Sequence, residues 1–201
     1  MLEPPFLELA FYVGPKAADK AFEHLAKEHH VAFGTKRKVV IEGLVGILDG
    51  EELELKNGTL LVRTSGEVFC GPPSTKTRSL RSRYGHLAYK AFVGFAEKLE
   101  CCYGAILVED SLEEPDSLRR DSTSLAFQDF YVGKQWAGAA MARIMGVVGS
   151  ATFLEDLSRG TYFSMCADFN PEKRGVSGVE AQNKSIEIAA ILATIATRPT
   201  A

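Results

Sequence analysis

Apolar positions along the chain switch between two spacings, and each switch marks an element. Phe6 to Val13 (FLELAFYV) is a dense apolar run closed by Gly14-Pro15, which predicts an opening strand. Ala18, Ala21, Phe22, Leu25 and Ala26 then recur at three and four residues, with Lys16, Lys20, Glu23, Lys27 and Glu28 opposite them. That spacing predicts an amphipathic helix, opened by Pro15 and ending near His30. From residue 39 to 70 the period shortens. Val39-Val40-Ile41, Leu44 to Leu48, Leu53-x-Leu55, Leu60-Leu61-Val62 and Val68-Phe69 predict short strands of a meander. Asn57-Gly58 between two of them is a hairpin signal, because both residues tolerate positive φ.

Gly71-Pro72-Pro73 breaks the meander, and a basic stretch leads to a second helix from about Ser82. Its apolar stripe is Tyr84, Leu87, Ala88, Ala91, Phe92, Phe95, Ala96 and Leu99. Ala105 to Val108 predicts a short buried strand, 109 to 121 a long polar loop, and aromatic Leu125 to Val132 another strand. Trp136 to Val148 predicts a helix with Met141, Ile144, Met145 and Val148 on one face. Thr152-x-x-Glu155 has capping-box spacing, predicting a short helix that Gly160 ends. Thr161 to Phe169 predicts a strand and Asn170 to Gly178 a turn-rich loop. Ser177-x-x-Glu180 caps a last helix running to about Thr197. Ile186, Ile188, Ala189, Ile191, Leu192 and Ile195 go almost all the way round it, so it should be central and buried. Hairpin strands beside segregated helices predict an α+β fold: an antiparallel or mixed sheet, with its meander at about 39–70, packed against several helices in one domain spanning 1–201.

Composition narrows the class. A chain of 201 residues buries about 70% of its unfolded surface and needs no metal or disulfide staple. Cys70, Cys101, Cys102 and Cys166 show no C-x-x-C spacing, and adjacent cysteines make poor disulfides, so all four are expected reduced and packed. Met1 to Pro5 lacks a secretory pattern and no run of about 18 apolar residues occurs, which predicts a cytoplasmic protein without a membrane span. A net charge of −3 argues against a general nucleic-acid binder. The counter-expectation is a basic face gathering Lys76, Arg78, Arg81 and Arg83 with Lys36, Arg37 and Lys38. Oligomeric state is left open by these patterns.

Motifs for phosphate, metal and nucleophile each fail on a physical point. Val68 to Thr77 follows a strand like a nucleotide loop, but Thr75 precedes Lys76 and Ser74 replaces an inner glycine, so the backbone N–H groups lack the freedom to curl round a phosphate. Phe169 to Val179 resembles in outline the acyl-CoA loop of the N-acetyltransferase family, yet Ser177 and Val179 stand where close backbone approach wants glycine. His24 and His29 are five residues apart, off the i, i+4 spacing of a helical metal pair, and no H-E-x-x-H occurs. His86 with Cys101 or Cys102 could form a thiol–imidazole pair only if the fold joined them. No cofactor, metal or catalytic residue is predicted.

What remains is charge contrast. The acids Glu109, Asp110, Glu113, Glu114, Asp116 and Asp121 lead into Phe127, Phe130, Tyr131 and Trp136, and aromatics beside charge are common at interface hot spots. The expected site is therefore a partner-binding face of those six acids with Trp136. It predicts a non-enzymatic protein that occludes a protein partner, as an immunity protein covers the basic cleft of a toxin domain. The alternative is a hydrolase or transferase with dispersed acids, using Glu109, Asp110 or Asp168 as its base.

Overall fold

The structure, a computed structural model, describes residues 5–28, 31–34, 38–41, 51–70, 74–138, 140–150 and 152–195. Its centre is the first strand. β1 (Phe6–Tyr12) is buried through its middle on both faces and pairs antiparallel with β5 (Thr59–Ser65) and with β6 (Tyr103–Val108). On one side the sheet continues through the meander of β2 (Val31–Gly34), β3 (Lys38–Ile41) and β4 (Glu51–Lys56) into β5. On the other it continues from β6 to β7 (Asp129–Gly133), β9 (Gly160–Ser164) and β8 (Phe153–Asp156). Among the described residues this is one nine-stranded sheet in the order β2-β3-β4-β5-β1-β6-β7-β9-β8, each pair antiparallel. The fold is α+β, as expected. Asn57 (φ 49) and Gly58 (φ 81) turn β4 into β5, both in the left-handed region that a tight hairpin requires. The expected strand at Leu44 to Leu48 lies outside the described residues.

Strand alternation sorts the core into two layers. On one face Leu7, Leu9 and Phe11 of β1 join Leu53, Leu60, Val62 and Tyr162 beneath α1 (Pro15–Glu28) and α2 (Thr75–Leu99). Ala18, Phe22 and Leu25 are the buried side of α1, matching its periodicity. On the other face Tyr103, Ala105, Leu107, Phe130, Val132 and Phe163 lie under α3 (Pro115–Arg120), α4 (Lys134–Ala137), α5 (Ala140–Val148) and α6 (Gly178–Ile195). Each fully buried Leu or Phe contributes about 1.5–3 kcal/mol. In α6, Ala181, Ser185, Ile188, Ala189, Ile191 and Leu192 are buried, while Val179 and Ile186 face outward. The Ser177 hydroxyl accepts the Glu180 N–H at 3.2 Å, so the serine half of the predicted cap forms, while the Glu180 carboxylate pairs with Lys184 at 2.9 Å. Among the described residues no helix is long and apolar enough to cross a membrane.

Several local expectations are overturned. The second helix starts at Thr75 rather than Ser82, because Ser74 accepts the Thr77 N–H at 3.2 Å and caps it. Val68-Phe69 belongs to a 3-10 turn (Glu67–Phe69) instead of a strand, since Arg81 of α2 donates to both of their carbonyls at 2.6 Å. Arg81 therefore serves the fold rather than a basic face. Thr152 to Asp156 is no helix. Thr152 donates back to Val148 C=O at 2.8 Å, Glu155 accepts from Tyr89, and Leu154 pairs with Phe163 across the β8–β9 ladder. Both capping partners are thus engaged elsewhere. The 136–148 helix is interrupted at Gly138 (φ 42), which separates α4 from α5. The strand expected at 125–132 begins only at Asp129, because Ser185 accepts the Phe127 N–H and donates to Ser124 C=O, both at 2.9 Å. The one expected at 161–169 ends at Ser164.

Candidate functional site

The 109–121 segment folds back over the sheet instead of projecting as a free loop. β6 ends, Glu109 takes a left-handed conformation (φ 53), and buried Leu112 and Leu118 anchor the return. Pro115 opens α3 at a position where its missing N–H costs nothing. Tyr103, fully buried at the start of β6, donates its hydroxyl to Glu113 C=O at 2.6 Å. The same ring packs against Trp136 with centroids 5.0 Å apart and stacks on Tyr12 at 5.1 Å. One tyrosine thus ties the acidic segment to the tryptophan.

Electrostatics show which acids share a neighbourhood. Burial pushes the Glu113 carboxyl above its ordinary range, and the charges of Asp121 and Asp110 push it further. Burial likewise raises the Tyr12 phenol, helped by Cys102, Glu114 and Asp116. Asp116 pairs with Arg119 at 2.9 Å, and Asp110 accepts the Ser111 N–H at 2.8 Å. Asp121 accepts from the Thr123 hydroxyl at 2.6 Å and from its N–H at 3.0 Å, which lowers its carboxyl. Asp110, Glu113, Glu114, Asp116 and Asp121 therefore form one patch, with Trp136 half-buried across Tyr103. Glu109, next to Asp110, is exposed, and its charge acts on Cys70.

Beside the patch lies a groove that the sequence reading missed. It measures about 230 Å³ and is lined by Glu8, Lys56, Arg63, Glu113, Glu114 and Ser117, among others. Glu8 projects from the central strand on the face opposite Leu7 and Leu9, and it is 0% exposed. Arg63 donates to it at 2.6 Å and to Glu54 at 3.2 Å, while lying over the Phe6 ring at 5.3 Å. Burial raises the Glu8 carboxyl, and Arg63 opposes that rise. Oε1 of Glu8 and Oε2 of Glu113 are buried without a hydrogen-bond partner. An acid inside FLELAFY was the available signal, but only the β1–β5 register shows that its partner is Arg63.

Other reactive groups are held away from such chemistry. Asp129 is 3% exposed and accepts from Ser164 and from Tyr162, and burial pushes it up to about 8. Asn170 donates to Ser164 at 3.2 Å and to the carbonyls of Cys166 and Arg174 at 2.8 and 2.7 Å, so this buried knot pins the 165–174 loop. Burial raises all four thiols, with Cys166 pushed up to about 12, so none is activated as a thiolate. His86 lies beside Tyr89, four turns of α2 from Cys101 by its rise of about 1.5 Å per residue. Asp168 faces Arg81 at 4.0 Å. A wider pocket of about 490 Å³ runs past Cys102 and Trp136, but its cations are engaged, Lys134 with Asp156 at 3.1 Å and Arg159 with Glu100. Among the described residues no three His, Cys, Asp or Glu side chains gather around a possible metal position.

No family model matches the chain, and no curated protein matches it. Among solved structures it is similar to the T6SS protein PA0821 of Pseudomonas aeruginosa, at 11% sequence identity and a TM-score of 0.41, over 87% of this chain and 67% of that one. A likeness at that level carries no argument about function.

Proposed function

We propose that this chain is a binding protein that occludes a protein partner, in the manner of an immunity protein covering the basic cleft of a cognate bacterial toxin. One observation carries the reading. Tyr103 joins the acidic segment, through the Glu113 carbonyl, to the half-exposed Trp136, which supports a surface that carries both charge and a large aromatic. Acids in that setting raise the on-rate and fix the register of a basic partner, and tryptophan is a favoured anchor. The enzyme alternative finds less support. Its acids Glu109, Asp110 and Asp168 sit respectively near Cys70, on the Ser111 N–H and opposite Arg81.

The test is affinity capture from native lysate with three baits: the chain itself, a Glu114→Lys/Asp116→Lys/Asp121→Lys variant, and Trp136→Ala. The expected result is a stoichiometric basic protein on the first bait, lost from the charge-reversed one and weakened about 30-fold or more by Trp136→Ala. The captured protein should lose its toxic activity when the chain is added. Equal capture by all three baits would overturn the assigned face, and an unaffected toxic activity would overturn occlusion.

A further inference from the structure

The groove beside α3 holds four carboxylates, Glu8, Glu54, Glu113 and Glu114, in or against its wall, facing two cations, Lys56 and Arg63. Arg63 is already divided between Glu8 and Glu54. The charges of Asp110 and Asp121 reach Glu113 as well. The surplus is negative, which selects against an anionic ligand. Glu8 Oε1 and Glu113 Oε2 are acceptors shielded from solvent with no hydrogen-bond partner. Buried polar groups are normally satisfied, so two orphan acceptors on one groove mark the place of an absent donor. Size narrows the occupant. About 230 Å³ falls below the roughly 300–1,000 Å³ of small-molecule cavities and suits one long side chain.

We propose that the groove receives an arginine side chain presented by the protein partner, with its guanidinium meeting the half-buried carboxylates of Glu113 and Glu114 at the wall, above the sealed charge of Glu8. This rests on the binding-protein reading above and adds the chemistry of its anchor. Arginine fits better than lysine because its planar fork of five donors can serve separated acceptors at once, whereas an ammonium acts as a compact point charge. Lys56, exposed at the rim, opposes the incoming charge and tunes its affinity.

The probes are a capped Gly-Arg-Gly tripeptide and its citrulline counterpart, titrated into the full chain while backbone amide shifts are followed by NMR. The arginine peptide should saturably shift amides of Thr59, Leu61, Arg63, Ser111 and Ser117, and citrulline should bind roughly tenfold more weakly or not at all. Glu113→Gln, nearly isosteric, should weaken the arginine peptide about tenfold, one lost charge-assisted contact. Lys56→Gln should tighten it severalfold, a change that damaged folding would not mimic. Equal response to both peptides, shifts confined to the outer side of α3, or indifference to both substitutions would overturn the groove assignment. Partner capture separates this from the parent reading. A partner that ignores Glu113→Gln and Lys56→Gln but is lost on charge reversal of α3 overturns the groove alone. An arginine peptide that fills the groove of a chain whose capture finds no partner leaves the groove standing and overturns the binding-protein reading.

Discussion

Arg63 stands directly opposite Glu8 in the β1–β5 ladder and donates to its carboxylate at 2.6 Å. Glu8 is 0% exposed and Arg63 30%, so the pair is buried at the acid and open at the base. Burying a carboxylate on a central strand is tolerable only because a guanidinium meets it at the required register.

Arg63→Met is expected to destabilise the chain by about 3 kcal/mol, the lower end for breaking a buried pair, since Arg63 is partly open to water. Glu8→Leu/Arg63→Met should recover most of that loss, because apolar replacement of both partners removes the charge that would be stranded. Urea unfolding of the two variants checks this. A double variant no more stable than the single would show that the pair is not the source.

Asp129 gives a pH dependence of definite sign. Its folded value of about 8 stands far above the ordinary 3.8, because burial outweighs the bonds from Ser164 and Tyr162, and Asp168 adds to the rise. The native state therefore holds a proton that the unfolded state releases between about pH 4 and 8, and this group's contribution to stability falls as pH rises through that window. Asp129→Asn removes the contribution while keeping an acceptor for Ser164. The urea midpoint of the variant, relative to the parent chain, should rise from pH 5 to pH 8. An unchanged difference across that window would count against a protonated Asp129.

Two glycines of α2 should respond oppositely to alanine. A Cβ on Gly85 would stand 1.8 Å from Asp168 C=O, whereas one on Gly94 would meet nothing within 4 Å. Gly94→Ala should stabilise by up to about 1 kcal/mol through helix propensity alone. Gly85→Ala should instead cost about 2–3 kcal/mol, as the helix is pushed off the 165–174 loop. Thermal unfolding of the pair resolves the sign, and a stabilised Gly85→Ala would mean that the helix does not press on that loop.

Tyr103→Phe deletes the bond to Glu113 C=O and keeps the ring contacts with Tyr12 and Trp136. A stability loss of about 1–2 kcal/mol is expected from a carbonyl left without its donor. Hydrogen exchange should accelerate over 110–118 and remain unchanged at Trp136. Uniform acceleration across β6 and α4 would instead point to a general core defect.

Where a few consecutive residues carry the whole preference, the sequence alone was sufficient. Asn57-Gly58 signalled the tight hairpin, Ser177 capped α6, and the spacing of Ala18, Phe22 and Leu25 identified the buried side of α1. The α+β class followed from the same local signals, strands in series beside separate helices. Thr152-x-x-Glu155 shows the limit. Its helical signal is real but weak, and Val148, Tyr89 and the β9 ladder claim the groups it would use. The site lay further beyond reach. Tyr103 and Glu113 meet across ten residues, but the Glu8–Arg63 pair and the acidic segment come together only once β1 is inserted between β5 and β6, and the β1–β6 pairing spans about half the chain. Backbone preference acts over a turn or two of chain. A buried charge or an aromatic stack depends on which distant strand arrives alongside, and that is settled by the packing of the whole sheet.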